Sequence, residues 1–121
     1  MTPNTLLDPA AAGVLSLSGA TQYAESGIVS RTVLTTEAAR VVLFGFGAGQ
    51  SLSEHASPQR ALVQILSGRA SWTIGGETRL AVAGDLIHLP PGCPHAVSAI
   101  EPFSMLLTLL REPAPSSAAN S

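Results

Sequence analysis

The chain has 121 residues, 45% hydrophobic and 12% charged, with a formal net charge of −2. That suits one densely packed domain and excludes both a disordered chain and two domains of ordinary size. Its cations are 6 arginines scattered from Arg31 to Arg111, with no lysine, and its aromatics are 3 Phe, 1 Tyr and 1 Trp; this excludes a basic or base-stacking nucleic-acid face, an anionic-lipid surface and lysine Schiff-base chemistry.

Residues 1–26 read as an N-terminal extension. In it, "DPAAAGVLSL" predicts a short helical turn after Asp8 and an extended piece over Val14 to Leu17. The first twenty residues hold no Arg or Lys and no long apolar run, so no secretory signal is expected. No stretch reaches the roughly eighteen apolar residues of a membrane span. Cys93 is the single cysteine and has no intrachain disulfide partner, which fits a reducing compartment. A cytoplasmic protein is expected.

From Gly27 the pattern changes to short runs rich in Val, Ile, Leu, Thr and Phe, divided by Gly, Pro and Ser. These predict strands over 28–35, 39–46, 51–55, 60–67, 70–75, 78–83, 85–89, 95–100 and 102–110, within a barrel domain of 27–112. "IGGE" marks a hairpin, because Gly75 and Gly76 can both supply positive φ. Short strands at regular spacing with no convincing helix between them mean an all-β sandwich or barrel. The tail at 113–121 has nothing to bury and is expected to hang free.

Alternation assigns faces. Ala70, Trp72 and Ile74 share an apolar face, and so do Ala61, Val63 and Ile65. The opposite set, Leu62, Gln64 and Leu66, is also largely apolar, and "FSMLLTLL" behaves alike. One face lines the interior, and the other needs a cover; in so small a domain a homodimer is expected to provide it.

Two stretches carry a family resemblance. In the first, Gly49, His55 and Gly68 fall at the spacing G-x5-H-x-H-x3,4-E-x6-G, with Ser57 and Ala61 where the second histidine and the glutamate belong. In the second, Gly84, Pro90, Gly92 and His95 fit G-x5-P-x-G-x2-H-x3-N, with Ala99 in place of the asparagine. Over roughly residues 38–110 the chain therefore resembles the cupins, and in particular small single-domain bacterial cupins that mostly lack an assigned function. The resemblance implies a single cupin-type, jelly-roll-like antiparallel β-barrel. The framework glycines sit where strands bend or turn, and Pro90-Pro91 stiffens the loop before His95.

The family's histidines and glutamate converge inside the barrel on a divalent transition metal such as Zn, Fe, Mn, Ni or Cu. This chain keeps His55 and His95 of that set. The resemblance implies that the two imidazoles meet in a closed apolar chamber. Gln59 and Cys93 are further candidate ligands, while Phe46, Ser57, Ala61, Val63, Trp72 and Met105 are candidate pocket walls, of which Phe46, Val63, Trp72 and Met105 also read as plain core. His88 reads as an outer-face residue, Glu54 as a solvated charge and Arg60 as a surface arginine. Three functions compete: binding of a small apolar or weakly polar molecule, contacted by the two histidines in a mostly apolar pocket; a metal-dependent dioxygenase or isomerase with an incomplete histidine site; and a metal-free regulatory or interaction protein. No G-x-S-x-G, phosphate-binding glycine loop, C-x-x-C or H-E-x-x-H occurs.

Overall fold

Hydrophobic alternation from residue 28 onward becomes a run of antiparallel strands in the computed structural model, which describes residues 4–113. The first five are β1 (Ile28–Thr35), β2 (Ala39–Phe46), β3 (Ser51–His55), β4 (Arg60–Ser67) and β5 (Arg69–Ile74). Then come β6 (Glu77–Val82), β7 (Leu86–Leu89), β8 (His95–Ala99) and β9 (Phe103–Leu110). β1 to β4 have the expected bounds, and the later strands differ from expectation only at their ends. Of the tail expected over 113–121, everything from 114 on lies outside the described residues.

The strands form two sheets, ordered β1-β2-β9-β4-β7 and β3-β8-β5-β6. Their facing surfaces pack into a two-sheet jelly roll. Ala61, Val63 and Ile65 of β4 are buried together with Ala70 and Trp72 of β5 and Phe103 and Met105 of β9. Phe46 stacks on Phe103, ring centroids 4.4 Å apart. Between β5 and β6 the turn passes through Gly75 at φ 57° and Gly76 at φ 90°. Both lie in the left-handed region that glycine alone adopts cheaply, and the turn closes the Ile74–Glu77 pair as the hairpin motif requires.

The outer face of the five-stranded sheet has a cover that the sequence reading did not foresee. Leu6, Leu7, Leu15, Leu17 and Ala20 of the N-terminal segment pack on Val33, Val41, Leu43, Leu66 and Leu106. Backbone bonds from Leu6 N to Thr32 O (3.0 Å) and from Leu7 N to Val33 O (2.8 Å) fasten this segment to β1.

Its local structure also departs from expectation. The turn after Asp8 stays a single turn, the Asp8 carboxylate taking the Ala10 N–H at 2.9 Å and the Asp8 carbonyl taking the Ala11 N–H. The helix comes later, as α1 (Leu17–Ala20). Ser16 caps it by accepting from Gly19 N, so Leu17 leaves the expected extended piece. No helix among the described residues is long and apolar enough to cross a membrane.

Past β9, Arg60 Nε and Nη2 donate to Glu112 Oε2 and Oε1 at 2.7 and 3.2 Å, tying the outgoing chain to β4. These hydrogen bonds hold the Glu112 carboxyl below the usual carboxylate range. A lowered folded value means that the pair's contribution is complete above the ordinary glutamate pKa and is lost as pH falls through the lowered one. Amide protection factors at 110–112 are therefore expected to stay level from neutral to mildly acidic pH and to drop only below the glutamate range. Glu112→Gln should lower protection already at neutral pH and remove that acid step. Protection that drops near neutrality in the parent chain would contradict the pairing.

Candidate functional site

β3 and β8 lie side by side, and His55 is the register partner of His95. The ladder is irregular between Leu52 and His55, which shifts the end of β3 and brings the two rings together. Their centroids are 4.2 Å apart with the planes at 60°. The loop that follows His55 and the loop that precedes His95 are joined as well, since Gly92 N donates to Ser57 O at 2.8 Å. Gly49, Gly68, Gly84 and Gly92 of the sequence frame all have positive φ, so these positions are indeed architectural.

Each imidazole is oriented through Nδ1. His55 Nδ1 bonds Ser53 O at 2.9 Å, and His95 Nδ1 bonds Cys93 O at 3.0 Å. A carbonyl oxygen only accepts, so both Nδ1 atoms carry hydrogen. In the neutral ring this leaves the Nε2 lone pair free. Two neighbouring strands thus present two oriented imidazole acceptors. His95 is buried at 8% exposure, whereas His55 is exposed. The chamber is open at His55, which corrects the expectation of a closed one.

Beside the pair lies a cavity of about 100 Å³. Of the expected walls, Val63, Trp72 and Met105 line it, together with both histidines. The remaining lining comes from Phe44, Leu52, Leu89, Val97 and Leu107. Phe44, Val97 and Leu107 each lie two residues from a residue singled out in the sequence, so alternation was the signal that could have found them. Phe46 and Ala61 are instead buried in the core away from the cavity lining, Phe46 in its stack on Phe103. Ser57 is occupied within its loop, its Oγ accepting from Gln59 N at 3.0 Å. Neither it nor Gln59 lines the cavity. Cys93 is a free thiol beside the core, its Sγ 3.7 Å from Pro94 O, and is likewise absent from the lining.

One atom on this wall stands out. Trp72 is 2% exposed, and its Nε1–H is the one buried side-chain nitrogen or oxygen without a hydrogen-bond partner among the described residues. The sequence reading had Trp72 as core and wall, with no polar role. His88 and Arg60 lie elsewhere, Arg60 Nη1 meeting His88 Nε2 at 2.8 Å beside the Glu112 pair. Glu54 is exposed. A larger groove, about 450 Å³, runs between Asn4–Leu6 and Ser30–Thr32. Its arginine, Arg31, already donates to Ala20 O at 2.9 Å, and no cluster of reactive groups accompanies it.

The donor set does not complete a metal site. Ser57 and Ala61 occupy the other two motif positions, and no three His, Cys, Asp or Glu side chains converge among the described residues. Two imidazoles fall short of the three protein ligands usual for catalytic zinc.

Comparison with known proteins agrees with this architecture. A conserved protein of unknown function from Streptococcus pyogenes is 34% identical, with 94% of this chain and 98% of that one covered and a TM-score of 0.80. A cupin 2 conserved barrel domain protein from Leptotrichia buccalis is 32% identical over 80% of this chain and 47% of its own, with a TM-score of 0.76. A cupin superfamily protein from Desulfitobacterium hafniense shares the fold at 24% identity over 91% of this chain and 97% of its own, with a TM-score of 0.78. No curated protein matches the chain. The cupin domain profile matches residues 42–109, more than half of the sequence and the span that holds both histidines. The chain belongs to the cupin family.

Proposed function

We propose that the chain binds a small, mostly apolar molecule in the cavity beside His55 and His95. The observation that carries this reading is the pairing of carbon walls with two imidazoles whose Nδ1 atoms are already tied to backbone carbonyls. Apolar walls with a few oriented polar groups are the usual make-up of a ligand pocket. A thermal-shift screen with small compounds that carry an N–H or O–H donor, amides and phenols among them, tests it, since a ligand held by the native state alone raises the melting temperature. A compound present at about 100 times its Kd should add about 2.7 kcal/mol of stability. His95→Ala should abolish the response. Compounds that raise the melting temperature equally in the parent and in His95→Ala bind somewhere else.

A second reading, a metal-dependent dioxygenase or isomerase, draws support from the two free Nε2 lone pairs alone. It needs donors from outside the protein to complete its ligand set. On the preferred reading, elemental analysis of protein purified without added metal or chelator gives well under one transition-metal ion per chain. One ion per chain, lost in His55→Ala, would favour the metal reading. The proposal includes pairing of two copies over the rest of the outer sheet face, where Leu62 and Leu110 are half-buried and Leu86 is 63% exposed. A single-chain mass by light scattering would remove that part.

A further inference from the structure

Three residues that line the cavity, Trp72, His55 and His95, each carry one ring nitrogen left free by the bonds described above. Trp72 Nε1–H is a buried donor with no acceptor among the described residues, on a ring that borders the cavity. Its indole lies 6.5 Å from the His95 ring, centroid to centroid, and that ring is 4.2 Å from His55. The imidazoles, each spending Nδ1–H on a carbonyl, offer one Nε2 acceptor apiece. One donor and two acceptors are thus carried by residues that border a space also walled by Phe44, Leu52, Val63, Val97 and Leu107. Trp72 and His95 are buried, and buried polar groups left unpaired are costly, so an occupant that answers both of them, and His55 at the open side, is favoured over one that answers fewer.

We infer that this occupant is a short aliphatic primary carboxamide, its carbonyl oxygen accepting from Trp72 Nε1–H and its two amide N–H groups donating to His55 Nε2 and His95 Nε2. The inference rests on the binding reading above and sharpens it to a ligand class. A primary amide places one acceptor and two donors on a single planar group. A ketone or ester answers the indole and leaves both imidazoles unpaired. An amine does the reverse. A carboxylate supplies acceptors only and carries a charge into a largely apolar space. Size narrows the class further. A cavity of about 150 Å³ holds benzene, and this one is about 100 Å³, which limits the enclosed part to about four non-hydrogen atoms.

The test uses the full chain, whose single tryptophan gives one indole N–H resonance. Propionamide and its isostere butan-2-one are titrated separately while that resonance and the histidine ring signals are followed. Propionamide is expected to move the indole resonance and to bind about ten-fold more tightly than the ketone. Trp72→Phe, which keeps a ring in place, should weaken both probes about ten-fold, because each carbonyl oxygen accepts from the indole, and should leave propionamide's advantage over butan-2-one unchanged. The comparison of the two probes on the parent chain stands even if that variant folds poorly. Equal affinity for the two probes, or imidazole signals that move while the indole stays still, would overturn the assignment and leave the binding reading intact. If neither probe moves any cavity resonance, the binding reading fails and the ligand class with it.

Discussion

Gly68→Ala is expected to cost at least about 3 kcal/mol of folding stability, a large loss for a small domain. Gly68 joins β4 to β5 with φ at +77°. A side chain there incurs about 1–2 kcal/mol from handedness alone. The added methyl also meets Pro102 O and comes within 2.7 Å of Phe103 Cβ and 2.8 Å of Phe103 Cα. None of these atoms can rotate away, and Phe103 stands in the central stack with Phe46. Gly84→Ala provides the control. Its φ is +96°, yet a methyl group there has nothing within 4 Å, so only the conformational cost of about 1–2 kcal/mol remains. Urea titrations should show a much larger fall in midpoint for Gly68→Ala than for Gly84→Ala, with similar m-values. Equal midpoints would mean that the close approach of Gly68 to the Pro102–Phe103 segment is absent.

Deleting residues 1–20 should have a comparable effect by another route. The lost segment includes Leu6, Leu7, Leu15 and Leu17, all half-buried against the outer sheet face. At about 1–2 kcal/mol for each partly buried leucine, the total is about 4–8 kcal/mol. The truncation also uncovers Leu43, which is 1% exposed in the intact chain, and its neighbours Val33 and Leu106. A contiguous apolar patch of that kind drives self-association. The shortened protein should melt at a lower temperature and scatter more light, at equal concentration, than the full chain. A truncated chain with unchanged melting and unchanged mass would show that the segment is not a cover.

The strands were legible because their side chains alternate: Ala61, Val63 and Ile65 point in, and Leu62, Gln64 and Leu66 point out. The glycines and prolines between the runs marked the corners. The N-terminal cover escaped notice because Leu6, Leu7, Leu15 and Leu17 follow neither a two-residue nor a helical period. Their common face comes from a turn at Asp8 and a capped turn of helix at Ser16, which short-range pattern does not reveal.

The candidate site divides in the same way. The meeting of His55 and His95 followed from motif spacing, and the register of β3 on β8 reproduces it. The exposure of His55 did not follow, because it depends on the ladder irregularity after Leu52. Phe46 and Ala61 were expected as pocket walls and lie instead in the core outside the cavity lining. Alternation assigns a side and says nothing about depth. Trp72 read as plain core because an indole is mostly carbon. Its unpaired N–H emerges only when every potential partner has a position.

The most direct measurement is a long-range ¹H–¹⁵N correlation of the three histidine rings at mildly alkaline pH, with chelator present, before and after saturation with a compound that raises the melting temperature. The expected result is hydrogen on Nδ1 and none on Nε2 for both His55 and His95, with both Nε2 signals shifting on saturation while His88 stays fixed. Hydrogen on Nε2 of either cavity histidine in the free protein, or a shift confined to His88, would contradict a pocket built around two imidazole acceptors.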